Sequence, residues 1–241
     1  MLQTLNLTDR PFKYFTQVDS TQDIALGWLR DGAEAGSVVI CDEQLKGRGR
    51  HGRTWHTPHG VALALSVILK PTLKGMGQVT MLGALAISDM LDAIGADAVS
   101  IKWPNDVRLQ GRKVCGVLPE AAWDGDKLLG VALGIGVNVR VDFTGTELEQ
   151  TAISIEPALG QRFDRIMLID VLLKRIDFWS QRLGTPELFD AWKSRLDTLG
   201  QVVTVNGIHG KAEAVNRDGA LLVRDDAGIL HTVIAGDVMM E

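Results

Sequence analysis

Cysteine is scarce in this 241-residue chain, which has only Cys41 and Cys115. Two thiols cannot make a disulfide framework. Both fall in apolar, strand-like segments and read as buried thiols. A cationic surplus is also missing. With 25 Lys and Arg against 30 Asp and Glu the net charge is −5, which argues against general nucleic-acid binding. No apolar run approaches the roughly 18 residues that would suggest a membrane span. The N-terminal stretch MLQTLNLTDRPFKYF holds no apolar core of signal-peptide length, so the cytoplasm is the expected compartment. The five histidines show no metal-ligand spacing such as H-E-x-x-H, and no protein-held metal is expected. Internal repeats of roughly 20–50 residues and low-complexity tracts are absent too.

Against that ordinary background one stretch stands out, QLKGRGRHGRTW from Gln44 to Trp55. Within eight residues it carries three glycines (Gly47, Gly49, Gly52) and four cations (Lys46, Arg48, Arg50, Arg53). Glycine lets a backbone turn tightly and approach a ligand. Arginine offers a planar fork of donors suited to carboxylate and phosphate. Inside an acidic protein this combination points to a loop that closes over an anion. The three glycines also satisfy G-x-G-x-x-G, but the dinucleotide reading needs a following helix and an acid about 20 positions on. Here a turn and a second strand follow, and Lys70 and Pro71 stand where the acid belongs. A solvated basic loop is the plainer alternative.

In chain order, 11–18 reads as a strand and Ser20 or Thr21 as the cap of a helix. SVVICDEQ (37–44) is the strand that delivers the loop, and VALALSVILK (61–70) a strand covered on both faces. A long buried helix spans 76–94, with Gly95 past its end. A strand at 99–103 stops at Pro104; a hairpin then turns near Gln110-Gly111, and another strand covers 127–139. After a polar stretch (140–151) come two helices, the second starting at Pro186. Beyond Gly200 the texture becomes short alternating segments with turn residues every eight to ten positions, which is a small barrel or sandwich. The expected fold is α+β: a mixed β-sheet with packed helices over 1–197, then a small β domain over 198–241.

Three further stretches spend unusual residues. KWPND sets Lys102, Trp103, Asn105 and Asp106 around a proline-fixed bend, though a polar hairpin tip would use Asn and Asp as well. Lys113 enters an apolar strand, either to snorkel to solvent or to hold a reacting carboxylate or phosphate. Gly134 and Gly136 precede Asn138, which fits a close backbone approach or a tightly packed strand.

Together, DST (19–21), Q-x-x-GRGRHGR-x-W (44–55), KWPND (102–106), GRK-x-x-G-x-L-x-E (111–120) and GIGVN (134–138) resemble the biotin protein ligases. The motifs run in that family's order from about Asp19 onward, and the C-terminal segment resembles its small SH3-like β-barrel. The resemblance implies two steps. Biotin's carboxylate attacks the α-phosphorus of ATP and pyrophosphate leaves; a lysine of a biotin carboxyl carrier protein or domain then attacks the mixed anhydride and AMP leaves. Mg²⁺ would arrive with ATP.

Carried over by position, Ser20, Thr21 and Gln44 would hydrogen-bond the ureido ring, helped by backbone groups of Gly47 and Arg48. Gly116, Leu118, Gly134 and Val137 would wall the biotin slot. Lys113, as main catalytic cation, and Arg50 would lie against the carboxylate and α-phosphate. Arg53, Trp55, Lys102, Asn105, Asp106 and Asn138 would serve the nucleotide, with Trp55 packed between adenine and the biotin tail.

Two departures are visible. His51 replaces an arginine common in relatives, with no expected loss of activity. Pro119 interrupts a strand that some relatives use for edge-to-edge dimerisation. Its missing N–H implies an edge strand or bulge and a monomer or weak homodimer. The motifs begin by residue 19, so no operator-binding helix-turn-helix domain is expected. The alternatives are a lipoate or octanoate ligase, which would lack the GRGR loop and KWPND, and a biotin-binding sensor without transfer activity.

Overall fold

The computed structural model describes residue 7 and residues 9–241; residues 1–6 and 8 of the N-terminal stretch read above for a leader lie outside the described residues. The chain runs β1 (Phe12–Val18), α1 (Thr21–Arg30), β2 (Val38–Gln44), β3 (Ala62–Leu69), α2 (Val79–Ala93), β4 (Val99–Lys102), β5 (Asp106–Leu109), β6 (Arg112–Asp124) and β7 (Lys127–Asn138). It continues through α3 (Ile155–Leu159), α4 (Arg165–Ser180), α5 (Pro186–Ser194), β8 (Val202–Val205), β9 (Ile208–Val215), β10 (Leu221–Asp225), β11 (Leu230–Val233) and β12 (Met239–Met240).

The first seven strands form one mixed sheet in the order β1-β2-β3-β7-β6-β5-β4. The pair β1–β2 is parallel, as a strand–helix–strand crossover requires, and the rest are antiparallel. Ser20 is the helix cap: its side chain accepts from the Gln22 N–H. Every residue of β3 is buried, as its apolar run predicts. The long helix expected over 76–94 begins as a 3-10 turn, Leu73–Gln78, and continues as α2. The short α3 had no sequence signal in the reading above.

The two faces of the sheet are covered unequally. On one, α2 packs against the strands with α4 and α5 beside it, around a core holding Leu65, Leu85, Met90, Leu133, Ile135 and Val137. On the other, α1 builds a smaller cluster of Ala25, Leu29, Val39, Ile68 and Ala132. Past α1 this face is lined by Gly116, Gly134 and Gly136 and stays open.

One irregularity decides which side chains reach that open face. Along β5–β6, Val107 pairs with Cys115 but Arg108 pairs with Lys113, so Val114 is an extra residue, a β-bulge. Lys113 and Gly116, three positions apart, would otherwise point to opposite faces. The bulge puts both on the open side.

Pro119 lies in β6, an interior strand of the sheet, which corrects a simple edge-strand reading. The partner β5 reaches only to Gly116, however, so Pro119 pairs with Leu133 of β7 on one side and lies beyond the end of β5 on the other. Past the polar stretch, β8–β12 form a five-stranded antiparallel sheet in the order β11-β10-β9-β8-β12. It is tied back by Trp103, whose N–H donates to Thr198 Oγ1 (2.9 Å) and whose Nε1 donates to the Gly219 carbonyl (2.7 Å).

Candidate active site

The open face holds a cavity of about 440 Å³, within the size range of small-molecule sites. Six cationic side chains line it (Arg48, Arg50, Arg53, Lys102, Arg108 and Lys113) against two carboxylates, Asp106 and Asp237. A protein of net charge −5 thus gathers its positive charge in one place, which favours an anionic ligand.

The glycine-arginine stretch folds as a narrow hairpin. Trp55 N–H donates to the Gly47 carbonyl (2.9 Å) and Gly49 N–H to the Arg53 carbonyl (2.8 Å). The tip is a 3-10 turn, Arg50–Gly52, in which His51 and Gly52 adopt positive φ (55° and 72°). Gly47 sits at the neck, where a Cβ would run into the Trp55 carbonyl oxygen. It shapes the loop and is not among the cavity-lining residues. Arg48 turns outward to Asp23 of α1 (2.5 Å) and Glu120 of β6 (3.1 Å), latching the loop across the slot.

Arg50 is half-buried and donates to Asn105 Oδ1 (3.1 Å) and the Gly236 carbonyl (3.3 Å), both uncharged. Burial lowers its pKa, opposed by the nearby Asp106 carboxylate and reinforced by Arg53. Arg53 pairs with Asp237, so the C-terminal sheet holds the loop at two points. Trp55 lies over Gly116 and Gly136, which face each other across β6 and β7; a Cβ on Gly136 would collide with the indole. These glycines are therefore a platform for an aromatic ring. The Trp55 Nε1 is buried without a hydrogen-bond partner.

At the charged end, Lys113 Nζ lies 2.7 Å from Asp106 and 5.5 Å from the centre of the Trp55 ring. It is fixed by backbone on a further side: its N–H donates to the Thr151 carbonyl (2.8 Å) and its carbonyl accepts from Ile153 (3.0 Å). Burial also pushes the Lys102 ammonium down, with Asp106 opposing. Asn138 donates its Nδ2 to the carbonyls of Lys113 and Ile153 (3.4 and 3.2 Å), so much of its amide serves to clip strands together.

The other end is uncharged. Gln44 Oε1 accepts the Thr21 N–H (2.9 Å) and lies 3.1 Å from Thr21 Oγ1. Gln44 Nε2 donates to Thr57 Oγ1 (3.2 Å). Behind them are Ser66 and Gln22, both buried.

The cavity gathers Ser20, Thr21, Gln44, Arg48, Arg50, Arg53, Trp55, Lys102, Asn105, Asp106, Lys113, Gly116, Leu118, Gly134 and Asn138 from the sequence reading. Val137 is a correction. It lies on the opposite face of β7, fully buried in the α2 core, because the strand is regular there and alternation points it away. Sequence reasoning missed Asp237 and Gly236, the 143–152 segment carrying Phe143, Leu148 and Thr151, and the pair Gln22 and Ser66. Ser66 did leave a signal: it is the single polar residue of β3. Both cysteines are buried free thiols with raised pKa, Cys41 pushed up to about 12 chiefly by burial. Neither lines the cavity.

Comparison with known proteins agrees with this geometry. Residues 14–138 match the biotin/lipoate A/B protein ligase family, and residues 198–240 match the biotin protein ligase C terminal domain. A biotin–[acetyl-CoA-carboxylase] ligase of Paracoccus denitrificans is 34% identical over 88% of this chain and 93% of its own. The bifunctional ligase/repressor BirA of Bacillus spizizenii is 33% identical over 90% of this chain and 70% of its own. Among solved structures, the biotin protein ligase of Aquifex aeolicus in complex with biotin and ATP superposes with a TM-score of 0.82. It is 29% identical and covers 96% of this chain and 98% of its own. The chain belongs to the biotin/lipoate A/B protein ligase family, and with its matched C-terminal domain to the biotin protein ligases within it.

Proposed function

We propose that the chain activates biotin with ATP and transfers it to a lysine of a biotin carboxyl carrier protein. The observation that carries this is the polarity of the cavity. One end is uncharged and hydrogen-bonding (Ser20, Thr21, Gln44), the other is cationic (Arg50, Lys102, Lys113), and Trp55 lies between them over a glycine floor. Biotin has that form: a neutral ureido ring, an apolar tail and a carboxylate.

In the first step a biotin carboxylate oxygen bonds to the α-phosphorus, the bond to the β-phosphate oxygen breaks, and pyrophosphate leaves. In the second the acceptor amine bonds to the acyl carbon, the acyl–phosphate bond breaks, and AMP leaves. Charge builds on phosphate oxygens, so preorganised cations supply the main stabilisation. Lys113 and Arg50 take that role. Arg53, Trp55, Lys102, Asn105, Asp106 and Asn138 serve the nucleotide, while Arg48 latches the loop and Gly116, Leu118 and Gly134 wall the slot. Mg²⁺ would accompany ATP, keeping oxygen ligands from phosphate and water; Asp106 and Asp237 are the cavity carboxylates that would meet it. The catalytic unit covers 1–197 and the small sheet 198–241, and the reaction belongs to the cytoplasm.

The test is biotin transfer to a carrier domain with ATP and Mg²⁺, for wild type and Lys113→Ala. Transfer by wild type and near-loss in the variant support function and residue together. An active variant would move the burden to Arg50, and tight biotin binding without transfer would make the protein a sensor. Pro119 further favours a monomer or weak homodimer, because a proline at the uncovered part of β6 cannot donate to a partner strand. Sedimentation with biotin and ATP checks it; a tight ligand-dependent dimer paired through β6 sinks the idea.

A further inference from the structure

Four oxygens stand in a row at the uncharged end of the cavity: Gln22 Oε1, Ser66 Oγ, Thr21 Oγ1 and Gln44 Oε1. Their separations are 2.9, 2.9 and 3.1 Å. Three gaps need hydrogens and only the two hydroxyls can supply them. The end of the row is fixed. Gln22 Nε2 lies 3.1 and 2.9 Å from the carbonyl oxygens of Leu118 and Ala132, which can only accept. Its Oε1 must therefore face Ser66, and Gly134 leaves room for it, since a Cβ there would come within 2.8 Å of that oxygen.

Ser66 spends its hydrogen on Gln22, which leaves the one Thr21 hydroxyl hydrogen a choice between Ser66 Oγ at 2.9 Å and Gln44 Oε1 at 3.1 Å, and we assign it to the shorter contact. The Thr21 hydroxyl hydrogen is then committed inward, and the longest gap, to Gln44, holds none. Gln44 Oε1 is already satisfied by the Thr21 N–H. Thr21 Oγ1 and Gln44 Oε1 thus turn lone pairs to the ligand. Ser20 Oγ, which accepts from the Gln22 N–H, keeps its own hydrogen to donate.

We propose that Gln22 and Ser66 are positioning residues that lock Thr21 as a hydrogen-bond acceptor and so make this end of the slot selective for a ring that donates N–H groups. A simple acyl chain would bury those lone pairs unpaired, which is costly. The inference rests on the proposed biotin reading and adds what sets its selectivity.

The experiment compares wild type, Ser66→Ala and Ser66→Thr, measuring KM and kcat for biotin by pyrophosphate release and the inhibition constant of octanoate as competitor. In Ser66→Ala the Thr21 hydroxyl is released. Its KM for biotin should rise roughly three- to tenfold, the weight of one neutral hydrogen bond, while kcat stays within about twofold. Octanoate inhibition should not change, and Ser66→Thr, which keeps the hydroxyl, should restore the KM. Equal shifts for biotin and octanoate, a fall in kcat with KM unchanged, or no change at all would overturn the proposal. Wild type that uses no biotin would overturn the functional reading itself, a distinct result.

Discussion

The two faces of β7 are made by the same twelve residues and do opposite things. Val131, Leu133, Ile135 and Val137 enter the α2 core, whereas Gly134, Gly136 and Asn138 line the cavity. On the packed face the fit is close enough that a Cβ added to Gly83 of α2 would come within 2.6 Å of Val117. On the open face glycine does the reverse work, leaving space that Trp55 and Gln22 fill in part. Glycine thus marks tight packing on one side of this sheet and a ligand slot on the other, and its neighbours decide which.

That contrast can be broken from either side. The largest effect is expected at Lys113. Lys113→Ala should lower transfer by roughly a hundred- to a thousandfold, as loss of a preorganised charge stabiliser does, with little change in melting temperature. Leu133→Ala, on the packed face, should do the converse. It should cost about 2–5 kcal/mol of stability in denaturant unfolding while transfer per folded molecule is kept. Gly136→Ala is the mildest and sharpens the comparison most. The added methyl displaces the Trp55 indole, so overpacking of about 1–3 kcal/mol should appear as weaker biotin binding by calorimetry more than as lost stability. If Gly136→Ala destabilises the fold but binds biotin normally, the glycine platform is structural only.

Much of this was legible in the sequence because composition carries it. Apolar runs gave β3 and α2, and Gly-Arg and KWPND gave the cationic end. What stayed hidden depends on strand parity. Lys113 and Gly116, three positions apart, both reach the cavity because Val114 bulges. Gly134 and Val137 have the same spacing, but β7 is regular there and Val137 faces away. The contribution of Asp237 was hidden for another reason: it lies 184 positions from the Arg53 it meets, and no local pattern spans that distance.

The bulge at Val114 also sets which kinds of change this gene can tolerate. The β5–β6 hairpin turns on two residues, Gln110 and Gly111, both at positive φ (52° and 76°), so it has no slack to absorb a length change. Were the bulge smoothed out with the length unchanged, the lysine would pass to the far side of the sheet, even with every motif residue still present. The 143–150 segment, made of turns and bends, has no such parity to lose. Insertions and deletions should accumulate there among natural variants and be absent from residues 110–116.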